Sequence, residues 1–484
     1  MLKIDQIKVP VSATKQELLK KVAKNIGIQE KEISNVHILK RSLDARKKPT
    51  LFYVYSIAFS VNDELKFLKK TKNKNITQYK PVEYSLPLSN QDAKQIKHSP
   101  IIIGAGPAGL FAAYELANAG YKPIILERGK CVEERQIDVS NFWKTGKLDL
   151  SSNIQFGEGG AGTFSDGKLN TLVKDNQGRN AHVLQTFVEF GAKEEILYDN
   201  KPHIGTDILV QIIKGMRQRI IELGGTFCFE SQVCELLYSD FKLCGIKLKN
   251  GRTIETEVAV LAIGHSARDT FSYLTTTPLE MSAKSFAVGF RVEHLQDDIN
   301  CSQYGVENSK LPAAAYKLTA QTSNGRGVYS FCMCPGGYVV NASSVEGMTC
   351  VNGMSYSDRS GKNSNSAIII SVSPDDFDGS DAMAGVRFQE NLERKVYAMG
   401  RGKIVQQRLE DYKNRQITQK YGKIVGQTKG ETCFGPLHEL FSEDMRKSFL
   451  EGMEQFGKQI KGFDDGDCIL SGVESRTSSP IRSL

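Results

Sequence analysis

Between Leu2 and Val9 apolar residues are interleaved with polar ones, the pattern of a half-buried strand. Thr14 followed by Glu17 forms a capping box that opens a helix through about Ile26, with Leu18, Leu19 and Val22 on its apolar face. Gly27 ends it. Val36–Leu39 and Leu51–Val61 are rich in β-branched and aromatic residues and predict two more strands, with a turn at Lys47, Lys48 and Pro49. Residues 1–95 therefore form a small α/β module, and the three prolines and many polar residues of 81–100 make its end a linker.

The pattern then changes. Ile101-Ile102-Ile103 is a short apolar run suited to a buried parallel strand, and Gly104-Ala105-Gly106-Pro107-Ala108-Gly109 follows at once. A helix pattern runs from Leu110 to Ala119, Gly120 stops it, and Pro123–Leu126 supplies a second strand with Glu127 at its end. Each glycine has its own reason. Gly104 allows the tight turn, Gly106 lets backbone approach a pyrophosphate, and Gly109 lets the helix pack closely on the strand. The helix N-terminus, with Pro107 and Ala108 in its first turn, is an anion seat that needs no basic side chain. Glu127, 18 residues beyond Gly109, is placed to accept ribose hydroxyls, and Arg128 adjoins it.

A second string, Gly157-Glu158-Gly159-Gly160-Ala161-Gly162, matches the same glycine pattern without its flanking strand or helix. It predicts a loop, one able to bring the backbone of Gly159, Gly160, Ala161 and Gly162 to a phosphate or a flavin edge. Downstream, Thr206–Leu223 reads as a helix, Val233–Leu237 as a strand, and Asn250-Gly251 as a hairpin turn. Val258–Ile263 reads as a buried strand ending at Gly264-His265. Val233 and Gly264 thus join the expected cofactor-side residues.

Composition narrows the classes. At 484 residues, 40% apolar and 24% charged, the chain is an ordinary globular protein of two or three domains. The N-terminus has no secretory pattern, and the apolar run 101–126 holds four glycines, two prolines, Glu115 and Lys122. A membrane span is not expected, and a cytoplasmic location is. The formal charge of +8 comes from one segment: residues 1–80 hold 18 Lys and Arg against 7 Asp and Glu, and the rest is about −3. Phe52, Tyr53 and Tyr55 lie in that basic segment, but no RNA-binding motif does, and nucleic acid is not an expected partner. The ten cysteines show no zinc spacing; Cys332 and Cys334 form a Cys-x-Cys pair that reads first as buried small residues.

Several long motifs carry a resemblance. They are Gly104–Gly109, Ser152–Leu169, Lys201–Asp207, Ala262–Thr270, Phe331–Gly337 and Glu474–Pro480. In these the chain resembles the bacterial FAD-dependent dehydrogenases of the NAD(P)/FAD-dependent oxidoreductase family, which are themselves similar to glutathione-reductase-type flavoproteins. The resemblance implies bound FAD, a discontinuous Rossmann-like FAD-binding domain and an inserted α+β cap. The expected divisions are 1–95, 96–285 (FAD domain), 286–461 (cap) and 462–484 (FAD domain again). Members of that family continue past the Arg476–Pro480 segment into a glycine-rich stretch and a helix on the flavin side. Against that pattern, with Leu484 as the last residue, weakened FAD retention is an expectation.

A flavin carries its own redox chemistry, so the side chains sought are those that position substrate or supply a proton or charge. His203, before the helix at Thr206, and His265, after the strand end at Gly264, are candidate proton donors, with a structural histidine capping an element end as the favoured reading of each alone. Arg476 is a candidate for a substrate carboxylate or the flavin carbonyl region, with an ion pair to Glu474 as the plain alternative. Arg291 and Glu293 share a strand face and stand as a possible pair. The expected activity is an FAD-dependent oxidoreductase acting on a small-molecule substrate. A nicotinamide nucleotide or another electron donor is the second expected partner, although no second dinucleotide fingerprint exists for it. The competing reading is a weakly flavin-binding scaffold acting through the basic N-terminal module on RNA or a protein.

Overall fold

The computed structural model describes residues 1–87, 96–169, 171, 173–306 and 311–483. Its chain divides into two compact units, one of Met1–Leu86, Lys168–Ile204 and Asn300–Ala314, the other of Pro87–Gly167, Gly205–Ile299 and Ala315–Leu484. The centre of the expected linker, 88–95, lies outside the described residues.

In the first unit the order is β1 (Leu2–Pro10), α1 (Lys15–Ile26), β2 (Ser34–Asp44), β3 (Phe52–Ser60), α2 (Glu64–Lys70) and β4 (Ile76–Gln78). The strands lie in the order β2-β3-β1-β4, all antiparallel, the topology of a ferredoxin-like split β-α-β module. The capping box forms as the spacing requires, with the Thr14 hydroxyl accepting from Glu17 N–H and the Glu17 carboxylate accepting from Thr14 N–H. Gly27 closes the helix in the left-handed conformation, φ 76°. Leu2, Ile4, Ile7 and Val9 meet Tyr55, Ile57 and Phe59 beneath Leu18, Val22 and Ile26. Tyr53 packs against this core, while Phe52 lies under the Lys8 ammonium, 4.2 Å away. Tyr53 and Tyr55 thus face the helices rather than an open stacking surface.

The second unit begins with β5 (Ile101–Ile103), α3 (Pro107–Asn118), β6 (Ile124–Leu126) and α4 (Val132–Thr145). β5 and β6 pair in parallel with each other and with two later strands, Thr226–Cys228 beside β6 and Ala259–Leu261 beside β5. This four-stranded parallel sheet is the Rossmann-like core that the glycine motif predicts. The strand expected over 258–263 pairs only at 259–261. Beyond it the chain passes under Gly104, where a Cβ would collide with the Ala262 carbonyl. An antiparallel meander of Val233–Ser239, Lys242–Leu248 and Thr253–Glu255 covers one face of the sheet, Ile246 and Leu248 packing with Ile101, Ile103 and Leu126.

The remainder is built on a seven-stranded sheet at whose centre Phe286–Leu295 lies between Asn363–Val372 and Ile469–Glu474. Its apolar face meets the helix Glu443–Gln459, with Phe290 edge-on to Phe449 at 5.3 Å. The α/β class with a Rossmann-like domain therefore stands. Among the described residues no helix is long and apolar enough to cross a membrane.

Candidate functional site

β5 is fully buried, and the chain leaves it through Gly104 at φ 103°. Gly106 caps α3 with Pro107 at its first position, as an open helix N-terminus requires. A Cβ on Gly109 would strike the Gly104 carbonyl, so helix and turn touch through backbone alone. The second glycine string is a loop ending in a short 3-10 turn, Gly160–Phe164, and it packs on the first. Gly159 N–H donates to Ala105 O at 2.8 Å, and a Cβ on Gly160 would stand 3.0 Å from Gly106 Cα. Gly160 and Gly106 thus touch backbone to backbone, and the two loops meet there.

Glu127 joins the two loops. It is 5% exposed, and its carboxylate accepts N–H bonds from Ala105 at 2.8 Å, Gly129 at 2.9 Å and Gly157 at 3.0 Å. Three of its roughly four lone-pair sites are thereby occupied, which leaves about one for a ribose hydroxyl. Arg128 is held by Asp269 at 3.0 Å and lies 4.3 Å over the Phe156 ring.

A cavity of about 580 Å³ opens in front of these loops. Gly104, Gly106, Pro107 and Ala108 form its floor, with Glu127 and Arg128 at one side and Gly160, Ala161 and Gly162 opposite. Val233, Gly264 and His265 also line it. Gly109 and Gly159 do not; Gly159 is packed behind the loop against Thr163 and Ile213. His203 belongs to the other unit, bridged to Lys168, and is not among the residues of this cavity wall.

His265 is the histidine at the cavity. Its Nε2 has no hydrogen-bond partner, and the ring's other bond is to the Arg476 backbone. Burial, reinforced by the charges of Arg476 and Arg268, pushes its pKa down to about 4. Arg476 itself stands behind the wall. Its guanidinium grips Glu393 at 2.9 and 2.8 Å and Ser344 Oγ at 2.6 Å, so its ion-pair partner is Glu393 and not Glu474. Arg268 grips the same carboxylate at 2.9 and 2.8 Å. Burial alone would raise the Glu393 carboxyl, but the two arginines hold it well below the usual carboxylate range. Arg291 pairs with Glu474 at 2.9 Å rather than with Glu293, which accepts from Asn363 and from the Gln427 N–H. Among the described residues no His, Cys, Asp and Glu cluster could hold a metal.

One residue of the site escaped sequence reasoning. Arg135 is fully buried on α4 and binds the carbonyls of the second glycine loop. Its signal was available: Val132, Arg135, Val139 and Phe142 share one helix face, so a charge stands on an apolar stripe.

A family model described as FAD-dependent protein, C-terminal domain-like, matches residues 285–477. An uncharacterized protein of Clostridium beijerinckii is 42% identical over 486 residues, which cover 99% of this chain and 90% of that protein. The chain belongs to the FAD-dependent oxidoreductase family. A second model, an NAD(P)-binding Rossmann-like domain, matches residues 102–132, and a domain of unknown function matches 1–60. Protein FixC of Azorhizobium caulinodans is 29% identical over 182 residues, 35% of this chain and 37% of its own. Among solved structures, the glycerol-3-phosphate dehydrogenase from Bacillus halodurans complexed with FAD aligns at 12% identity with a TM-score of 0.29, over 58% of this chain and 49% of its own.

FAD is the cofactor of this flavoprotein, and its residues fit that group. Gly104, Gly106, Gly160 and Gly162 put bare backbone on the cavity wall, where a diphosphate can approach without meeting a side chain. The cavity volume falls within the roughly 300–1,000 Å³ of small-molecule and cofactor sites. His265 Nε2 supplies a buried polar atom with no protein partner at its wall.

Proposed function

We propose that this flavoprotein is an enzyme that transfers hydride or electrons between its FAD and a small-molecule substrate, with a nicotinamide nucleotide or another carrier as electron donor. The observation that carries this reading is the pair of glycine loops, clasped by Glu127 at the N-terminus of α3 and opening into a cavity walled by His265.

Bound FAD supplies the redox chemistry. Gly104, Gly106, Pro107 and Ala108 would hold the pyrophosphate at the positive end of the helix dipole, with Gly160, Ala161 and Gly162 beside them on the cavity wall. Glu127 takes a ribose hydroxyl with its remaining lone pair, and a 2′-phosphate beside that carboxylate is repelled. Val233 and Gly264 line the cavity wall, Gly109 lets α3 sit close on the Gly104 turn, and Gly159 ties the second loop to Ala105 O. Arg128 stays tied to Asp269 and closes the nucleotide end.

His265 changes role relative to a proton donor. With a pKa near 4 it is neutral at pH 7, and its Nδ1–H is committed to the Arg476 backbone. Nε2 then presents a lone pair to the cavity, so His265 accepts a hydrogen bond or a proton. Behind His265, Arg476 and Arg268 share the Glu393 carboxylate, and Glu390 stands 3.9 Å from Arg268, so the cluster is close to neutral. Residues 286–461 act as the cap over substrate, with 96–285 and 462–484 as the FAD-binding portions. The start of the family match at residue 285 supports the first of these boundaries; the match runs on to 477, and Ile469–Glu474 pairs with Phe286–Leu295.

Purified protein should be yellow, with a flavin absorbance band that bleaches under anaerobic dithionite and returns on exposure to oxygen. Colourless protein that takes up no added FAD would sink the proposal.

A further inference from the structure

Arg135 is 0% exposed, and each of its hydrogen bonds goes to a neutral acceptor. Nε donates to Asn153 O at 2.8 Å and Nη2 to Ile154 O at 2.9 Å. Nη1 donates to Glu158 O at 2.6 Å, and more weakly to Gly157 O and Thr163 Oγ1 at 3.3 Å. The guanidinium also lies 5.0 Å from the Phe164 ring centre. Glu127 and Glu158 influence it only at a distance, without a hydrogen bond to it. Burial lowers its pKa to about 10, which still leaves it charged at neutral pH.

A buried charge without a bonded counter-ion is costly unless something offsets it. The geometry says what does. The Glu158 carbonyl turns toward Arg135, the Gly157 carbonyl is shared between Arg135 and the Gly160 N–H at 3.0 Å, and a peptide C=O points opposite to the next N–H. Those next N–H groups are the ones that donate to Lys130 O and Ala105 O, and so fasten the loop to β6's exit and to the first glycine turn. Gly157, Gly160, Ala161 and Gly162 of the same loop line the cavity beside Gly106. A Cβ on Gly157 would collide with Arg135 Cδ, so guanidinium and loop are in direct contact.

We propose that Arg135 is the positioning residue of the pyrophosphate seat: it sequesters the carbonyls of the second glycine loop and leaves an unpaired positive charge behind the loop's cavity face. The role rests on the reading that FAD occupies this cavity. It is specific to the diphosphate, and this separates it from a merely structural role.

The test titrates FAD-free protein with FAD, ADP and adenosine, for the unaltered chain, Arg135→Lys and Arg135→Gln. Amide exchange across 153–164 is followed in the same samples. Arg135→Gln should weaken ADP and FAD by roughly tenfold or more, the loss of a charged interaction, and leave adenosine within about twofold. Arg135→Lys keeps the charge but has fewer donors; it should fall between, with faster exchange at 153–164. ADP and adenosine weakened by the same factor, or ADP unchanged in both variants, would overturn the proposal. If Arg135→Gln does not fold, the ADP-to-adenosine ratio of Arg135→Lys decides alone. Unaltered protein that binds neither FAD nor ADP would instead remove the reading of the cavity, and the role of Arg135 with it.

Discussion

Glu127 and Gly157 stand 30 residues apart, yet the Glu127 carboxylate accepts the Gly157 N–H at 3.0 Å while its other oxygen accepts Ala105 N–H at 2.8 Å. One buried side chain therefore sets the distance between the two glycine loops. Glu127→Gln keeps the shape but turns an NH2 toward donors, and its cost should be about 1.5–3 kcal/mol of unfolding free energy even without FAD. Urea unfolding of FAD-free protein measures this. A variant that loses FAD with unchanged stability would show that Glu127 acts on the ribose alone.

Gly160 and Gly251 both have positive φ, 61° and 88°, but only Gly160 faces another backbone. A Cβ at Gly251 meets nothing within 4 Å, so Gly251→Ala should cost about 1–2 kcal/mol from backbone strain and leave FAD binding intact. At Gly160 the same strain is joined by contact with Gly106 Cα and Pro107 Cδ, at 3.0 and 3.3 Å. Gly160→Ala should weaken FAD at least tenfold, about 1.4 kcal/mol, as read by fluorescence titration. Equal FAD affinities in the two variants would refute a role for the Gly106–Gly160 contact at the FAD site.

His265 offers a pH signature. Its pKa is depressed to about 4 from 6.5, so the unfolded chain binds the proton first as pH falls. The stability associated with neutral His265 is present above pH 6.5 and is lost between 6.5 and 4. Nitrogen-15 NMR of the imidazole should show a single Nδ1–H tautomer at pH 7, with no titration until pH falls toward 4. An inflection near 6.5 would place the ring in water.

Glu393 carries the strongest stability prediction among the ion pairs. It accepts from Arg268, Arg476 and Ser475 Oγ while fully buried. Glu393→Ala leaves the buried Arg476 without a bonded counter-ion and Arg268 with only the looser Glu390 at 3.9 Å, and should cost about 3–5 kcal/mol, against less for Arg476→Met, after which Arg268 still neutralises the carboxylate. Denaturant midpoints of the two variants give the order. The reverse order would mean that Arg476 is the better compensated partner.

What could be read from the sequence was local. The turn at Gly104, the close packing at Gly109 and the capping box of Thr14 with Glu17 each depend on residues within a few positions, and backbone sterics decide them. The choice between His203 and His265 did not, because both follow similar punctuation and only tertiary packing puts one of them at the cavity. Arg476 and Glu393 are 83 residues apart and Arg268 and Glu393 are 125 apart, so the partner of Arg476 was misassigned to its neighbour Glu474. Arg135 was hidden by habit rather than distance. A charge on a helix reads as solvent-facing until the apolar stripe around it is noticed.

Glu293 inverts the usual sign of carboxylate stability. It is fully buried with no cation bonded to it; Oε1 accepts from Asn363 and Gln427, and Oε2 has no partner. Burial raises its pKa to about 7, so between about pH 4.5 and 7 the folded chain holds a proton that the unfolded chain has released. Stability from this group is therefore greatest in acid and falls as pH rises through that window, by roughly 3 kcal/mol in all. Glu293→Gln keeps the Oε1 acceptor and removes the charge. It should match the unaltered chain at pH 5 and exceed it at pH 8, with the difference read by urea unfolding at the two pH values. Destabilisation at both would mean that the carboxylate is held by an interaction stronger than its two donors.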